Sequence, residues 1–410
     1  VEFEGEVHKI NDDLRSKVLE RTSNLNKEGL RVLAVAQKSW IEKKDDFDVE
    51  DEEDMVLIGL LAFLDPPKPS ASLAIKQLHE HGVEVKVLSG DNAGVVKTIS
   101  RQVGVDSTYT LLGHEIEEMT DEELSAKIGK TKVFAKLTPM QKSRVIMLLQ
   151  DQGNTVGFLG DGINDAPALR QADIGISVDN AVDIAKESAD IILLEKDLLV
   201  LEEGVIEGRK IFGNIMKYIK ITASSNFGNV FSVMIASAFL PFLPMMPIHL
   251  LIQNLLYDIS QTTIPFDSVD KEYLMKPRKW DASDLGRFMI RIGPISSIFD
   301  ITTYLIMWFA FSAKTPEMAP LFQSGWFIEG LLSQTLIVHM IRTHKIPFFQ
   351  SRASLPVMLS TIAVMAIGIR VGLTPLPWNY FPWLIATLLC YCIVIQLAKQ
   401  FYIKKFSRWL

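Results

Sequence analysis

Two different rhythms of apolar residues divide this chain near residue 220. Before that point the apolar runs are short, and polar turns and segments of helical spacing separate them, which is the alternation expected of strands and helices around a parallel sheet. The pattern predicts strands at residues 55–63, 84–88, 131–135, 156–159 and 190–194, with helices at about 70–81 and 143–150. Ahead of them, a polar helix-like segment leads into the apolar strand GLRVLAVA (29–36), and the acidic run 45–54 reads as a solvated loop.

Residues 198–220 read as one amphipathic helix carrying Arg209, Lys210, Lys217 and Lys220. From Ile221 to Tyr257 no charged residue occurs, and Pro241, Pro244 and Pro247 break the run into two helices joined by a tight turn. Further apolar runs at 287–311, 326–341, 355–373 and 378–402 bring the expected total to about six membrane spans of roughly 20 residues each. Lysine and arginine crowd the second loop (Lys271, Lys276, Arg278, Lys279), the fourth (Arg342, Lys345, Arg352) and the tail (Lys404, Lys405, Arg408). Basic loops stay on the cytoplasmic side, so the polar half and the C-terminus are both expected there, in a multi-pass protein of the cell inner (plasma) membrane.

Composition fits two such halves. The chain is 410 residues long, 48% hydrophobic and 22% charged, with a mean hydropathy of +0.19. The formal charge of −7 comes largely from the first half, and no basic stripe with interleaved aromatics suggests nucleic acid as a partner. Cys390 and Cys392 share one terminal apolar run, which indicates neither a disulfide framework nor a zinc site. No charged-then-apolar leader opens the chain at Val1, so no signal peptide is expected.

Candidate chemistry concentrates where predicted strands end. The strand at 156–159 runs into Gly160-Asp161-Gly162-Ile163-Asn164-Asp165, and Pro167 then opens a helix. Two carboxylates on a glycine-flanked loop at a strand's carboxyl end can hold a hard cation such as Mg²⁺ together with a phosphate. The strand ending at Leu88 meets a second small polar turn, Ser89-Gly90-Asp91-Asn92. Inside the apolar half, Asp258 stands mid-span with Asn254, while Asn226 and Asn229 share a face of the preceding helix. Ionisable and amide groups in such spans are costly and hence functional candidates. Asp300, Glu329 and His339, within or near spans, are open to either a transport or a packing reading.

The segment GDGINDAPAL closely resembles the hinge signature of P-type ATPases, cation pumps that phosphorylate themselves on an aspartate. The resemblance implies that Asp161 and Asp165 serve the catalytic Mg²⁺ and that Asn164 hydrogen-bonds the phosphorylated group. Ser89-Gly90-Asp91-Asn92 resembles the family's TGDN motif with serine in place of threonine, and Lys142 matches its phosphorylation-domain lysine. GLRVLAVA resembles the last strand of the nucleotide-binding domain, which makes Arg31 a contact for ATP phosphates. NLLYDISQ and DPPK most resemble the bacterial magnesium-transporting branch, in which Asn226, Asn229 and Asp258 would hold the transported ion.

The family's DKTGT phosphorylation motif and its TGE actuator segment do not occur in the chain. The resemblance therefore implies the C-terminal half of a pump. Its parts would be a nucleotide-binding remnant (1–54), part of an HAD-like phosphorylation domain with a Rossmann-type parallel sheet (55–197), a stalk helix (198–220) and a polytopic α-helical membrane domain (221–410). With ATP and Mg²⁺ as cofactors and the upstream half as partner, the whole would drive Mg²⁺ across the bilayer through an aspartyl phosphate. The chain alone is expected to be inactive. A pump for H⁺ or Ca²⁺ and a non-catalytic membrane remnant or regulatory partner are the alternatives.

Overall fold

In the computed structural model, residues 1–3, 5–39, 48–63, 66–371 and 375–409 are described, and they divide into two units, Val1–Gly204 and Val205–Leu410. Residues 45–47 of the acidic run, Asp65 of the DPPK segment and 372–373 of the fifth expected span fall outside the described residues.

The first unit opens with β1 (Glu2–Phe3) and β2 (Glu6–Val7), a short antiparallel pair, and α1 (Asp12–Lys27). β3 (Arg31–Gln37) then pairs antiparallel with β4 (Val56–Phe63), Arg31 lying opposite Phe63. The run at 55–63 thus does not open the βαβ alternation. β3 and β4 are apolar runs of similar length, and by pairing they satisfy each other's backbone groups. One ladder consequently joins residues on both sides of position 54.

The alternation follows as α2 (Pro69–Glu80), β5 (Val87–Leu88), α3 (Ala93–Gln102), β6 (Thr110–Leu112), α4 (Gly113–Glu118), α5 (Asp121–Ile128), β7 (Val133–Ala135) and α6 (Pro139–Asp151). After these come β8 (Gly157–Leu159), α7 (Ala166–Gln171), β9 (Ile174–Val178), α8 (Asp183–Glu187) and β10 (Ile191–Leu193). The strands form two separate parallel sheets, ordered β5-β7-β6 and β8-β9-β10. Each sheet ends on a strand that carries a candidate motif, β5 before the Ser89 turn and β8 before the Asp161 loop. Successive side chains of β7 point to opposite faces. Phe134 packs with Ile116, Leu124, Ile128, Val145 and Leu148, while Val133 and Ala135 meet Ala71, Val96, Val103 and Val105. Helices thus cover both faces of this sheet, as a parallel sheet requires.

α9 (Leu198–Phe239) carries the chain into the second unit without a break at residue 220. It is followed by α10 (Pro247–Gln261), α11 (Lys271–Leu274), α12 (Ala282–Phe309), α13 (Ala319–Ile341), α14 (Leu355–Val371) and α15 (Tyr380–Phe406). Of the roughly six expected spans, only α12 and α15 are long and apolar enough among the described residues to cross a membrane, and Leu355–Arg370 is apolar but shorter. α10 has only 15 residues. α13 is almost wholly buried among its neighbours, so it can carry Gln323, Ser324, Glu329, Ser333, Gln334, Thr335 and His339, which lower its apolarity.

α9 and α12 cross at two glycines. A Cβ on Gly228 would lie 2.9 Å from the Gly293 carbonyl oxygen, and one on Gly293 would lie 3.1 Å from that of Ser224. Ser297 Oγ donates to the Gly228 carbonyl there at 2.9 Å. At one end of the helices, polar groups are buried in pairs. Asp267 accepts from Lys217 Nζ at 2.7 Å, Arg342 Nε at 2.8 Å and the Ser354 amide at 3.0 Å. Burial alone would raise the Asp267 carboxyl, but Lys217 and Arg342 outweigh it and hold it below the usual carboxylate range. Lys220 Nζ meets Asp284 at 2.8 Å, and Lys399 Nζ donates to the carbonyls of Met340, Thr343 and Lys345 at or just beyond the end of α13, where helix carbonyls lack partners.

Candidate active site and ion ligands

The Asp161 loop is shaped by close backbone approach. Gly160 donates its N–H to the Ile176 carbonyl at 3.1 Å, and its own carbonyl accepts from Ser177 Oγ at 2.9 Å. A Cβ at Gly160 would fall 2.6 Å from Cβ of Asp165, so this position excludes any side chain. Asp165 Oδ2 accepts from the Gly162 amide at 3.1 Å, and Oδ1 accepts from Lys142 Nζ at 2.7 Å. Lys142 reaches it from the first turns of α6. That helix starts at Pro139 rather than near Ser143, because Thr138 Oγ1 accepts from the Gln141 amide while the Gln141 side chain accepts from the Thr138 amide. The lysine and aspartate side chains are only 10% and 14% exposed, so this ammonium is aimed rather than solvated.

Asp161 is half-exposed, and its Oδ2 accepts from Lys196 Nζ at 2.5 Å. Lys68 Nζ donates to the Lys196 carbonyl. Lys196 was not anticipated from sequence, although a signal existed. β8 and β10 flank β9 in one parallel sheet, so residues just after each strand emerge at the same edge. Asn164 is exposed beside them. The donor set suits Mg²⁺, which takes one or two carboxylates and completes its shell with water and phosphate oxygens. Asp161 has the accessible carboxylate, while both Asp165 oxygens already accept hydrogen bonds.

The second turn forms its own group. Asp91 N–H donates to Ser89 Oγ at 3.1 Å, and Arg31 Nη2 donates to Asp91 Oδ1 at 2.6 Å. Lys136 and Leu137 amides donate to the Asp91 and Ser89 carbonyls, both at 3.0 Å, which binds the loop after β7 to this turn. A Cβ on Gly90 would meet the Leu137 carbonyl oxygen at 3.4 Å. The structure therefore joins Arg31 with Ser89, Gly90 and Asp91, and joins Lys142 with Asp165 and Asp161 with Lys196. Among the described residues no direct hydrogen bond or ion pair links the two groups.

In the helical unit, the expected ion ligands lie on its outside. Asp258, Asn254 and Asn226 are exposed, and among the described residues the Asp258 carboxylate has no hydrogen bond or ion pair. Thr222 Oγ1 donates to Gln261 Oε1 at 2.9 Å, so the neighbouring turns of α9 and α10 adjoin. Asn229 turns inward instead, accepting from Gln334 Nε2 at 2.6 Å. Gln334 is a second polar partner that sequence reading passed over, because an amide in a mostly apolar helix shows no periodic signal.

Comparison with known proteins gives two family matches. A family described as haloacid dehalogenase-like hydrolase matches residues 4–173, and one described as cation transporting ATPase, C-terminus, matches residues 242–401. The chain is 60% identical over 411 residues to the magnesium-transporting ATPase, P-type 1, of Salmonella typhimurium strain LT2, a match covering 98% of the chain and 45% of that protein. It is 56% identical over 416 residues to the protein of the same name from Escherichia coli K12, covering 99% of the chain and 46% of the relative. The calcium-transporting ATPase 1 of Bacillus cereus is 28% identical over 398 residues, 95% of the chain. The chain spans about half the length of these curated relatives.

Proposed function

The chain belongs to the P-type ATPases, and we propose that it is the C-terminal half of an ATP-driven pump that moves Mg²⁺ across the cell inner membrane through an aspartyl phosphate. The observation that carries this reading is the Lys142–Asp165 pair beside the accessible carboxylate of Asp161. Identities of 56–60% to proteins named as magnesium transporters, against 28% to one named for calcium, favour Mg²⁺ over Ca²⁺.

Phosphoryl transfer needs positioning and charge compensation more than covalent help. Asp161 would hold the catalytic Mg²⁺, which supplies positive charge to the transferring group. Asp165 fixes the Gly162 amide and the Lys142 ammonium, so the lysine's charge is already aimed at the loop and costs no reorganisation. Asn164 presents an exposed amide beside them. Ser89 and Asp91 form the phosphate-facing turn, steadied by the loop after β7, and Arg31 guards it from the β3 end as the contact for ATP. The acceptor aspartate is assigned to the upstream half of the pump, so the 410-residue chain alone should form no acid-stable phosphoenzyme from labelled ATP.

In the helical unit we assign six membrane helices with a cytoplasmic C-terminus. Asn226, Asn229 and Asp258 are the proposed ligands of the transported cation. A partly hydrated Mg²⁺ held by one carboxylate and amides suits this set. The test is Asp161→Asn in the full-length pump: phosphoenzyme should be lost while membrane insertion is unchanged. Wild-type phosphoenzyme in that variant refutes the assignment.

A further inference from the structure

The interior of the helical unit holds a second pair of carboxyl groups, Asp300 of α12 and Glu329 of α13, only 4% and 1% exposed. Trp326, one turn before Glu329 on α13, reaches Asp300 and so brings the two carboxyl groups together, yet their hydrogen bonding is unequal. Asp300 is served on both oxygens: Ser232 Oγ donates to Oδ2 at 2.6 Å and Trp326 Nε1 donates to Oδ1 at 2.9 Å. Among the described residues neither oxygen of Glu329 has a hydrogen-bond partner. Ser333, one turn along α13, sends its hydroxyl to the Gly330 carbonyl instead, at 3.1 Å.

Among the described residues no cation balances the pair. From α12 the other titratable neighbour is Tyr304, and from α15 they are Tyr380 and Tyr391. α9 offers the hydroxyl of Ser232. α10 packs Gln253 against Gly330 and the ring of His249 against Phe327. The tyrosine hydroxyls are engaged elsewhere: Tyr304 with the Ser232 carbonyl, Tyr380 with the Gly325 carbonyl, and Tyr391 with Ser296 Oγ. The lysine, arginine and carboxylate network around Asp267 contributes nothing to either group.

We propose that Asp300 and Glu329 form a proton-binding site in which Glu329 carries the proton and donates it to Asp300. An ionised carboxylate is an acceptor only, whereas a protonated one gains a donor. Two donors already stabilise Asp300 as the anion, and a carboxylate oxygen has a second lone pair to accept a third. Ser333 lies beside Glu329, but its hydroxyl is turned to the Gly330 carbonyl, so as an anion Glu329 would be buried with little compensation beside a like charge, which is the arrangement in which two carboxyls share one proton. As an acid it satisfies itself with the partner that is there. The site is separate from the Asp258 face and does not depend on which cation is transported.

Infrared difference spectroscopy of the 410-residue chain in lipid nanodiscs at neutral pH tests this. Wild type minus Glu329→Gln should contain one carbonyl band of an un-ionised carboxylic acid, slow to shift in D₂O because the site is buried. Asp300→Asn keeps the proton on Glu329 but exchanges its acceptor, so the band should remain at an altered frequency. This second variant also guards against misfolding as the cause of a lost band. A band retained unchanged in Glu329→Gln would put the proton elsewhere and overturn the assignment. Two carboxylate signals that move on adding Mg²⁺ would overturn it too, by showing a metal-ion site.

Discussion

Replacing Asp267 with asparagine removes the one carboxylate that two buried cations share. Lys217, Asp267 and Arg342 side chains are 1%, 2% and 3% exposed, so neither cation can turn to water when the charge goes. Breaking a buried pair by removing one partner costs about 3–5 kcal/mol, and about 1.4 kcal/mol is a factor of ten in an equilibrium. Asp267→Asn should therefore shift the unfolding equilibrium of the helical unit by about two to nearly four orders of magnitude. Lys217→Met should cost distinctly less, since Arg342 and the Ser354 amide still serve Asp267. Reversible denaturant unfolding in mixed micelles reads both. The pH dependence gives an independent sign. The Asp267 carboxyl is held low in the fold, so its stabilisation is present above the unfolded value of about 3.9 and is lost as pH falls through the lower folded value. Wild type should lose stability on acidification in that range, and the variant should lack this component. Equal costs for both substitutions, or an unchanged acid response, would refute the shared-carboxylate argument.

Gly160→Ala should abolish phosphoenzyme formation in the full-length pump, because the new methyl collides with Asp165 and displaces Lys142; phosphorylation with labelled ATP, compared with a folding control by circular dichroism, checks it. Phe134→Ala should destabilise the first unit by about 3–5 kcal/mol, since this ring is fully buried between α5 and α6, as thermal unfolding would show. Asp258→Asn should abolish Mg²⁺ uptake while phosphorylation from inorganic phosphate persists, because the change touches a proposed ion ligand and leaves the Asp161 loop whole. Uptake at the wild-type rate would make Asp258 a packing residue.

Local chemistry was legible in the sequence, and partnership across elements was less so. The Gly160 to Asp165 turn announces itself because glycine, aspartate and a following proline are needed in one short stretch. The start of α6 is legible as well, because Thr138-Pro139-Met140-Gln141 spells a capping box that places it at Pro139, ahead of the apolar run that begins near Ser143. Lys196, by contrast, reaches Asp161 from a different strand, and only the sheet order reveals that both leave one edge. The β3–β4 ladder was missed because an acidic segment separates the two runs and each alone reads equally well as a parallel strand. Hydropathy found helices in the second half but blurred their limits: α9 runs on through residue 220, since a lysine buried against a carboxylate, as Lys217 and Lys220 are, need not end a helix. The asymmetry between Asn229, which turns inward to Gln334, and Asn226, which stays outside, depends on neighbours that periodicity along one helix cannot supply.

The crossing of Gly228 with Gly293 has a mechanical meaning for α9. Where two backbones come this close, with the Phe227 and Ser296 side chains packed alongside, there is little soft material to compress and no room to slide a bulkier residue through. A continuous helix held so tightly at one point resembles a beam on a fulcrum. Within the helical unit, the turns around Lys217 lie on one side of that point and those around Ala236 on the other, so any tilt of the first must be answered by an opposite tilt of the second. Asn226 and Asn229 straddle the pivot, where displacement is smallest and change of angle is the main thing a bound ion would feel.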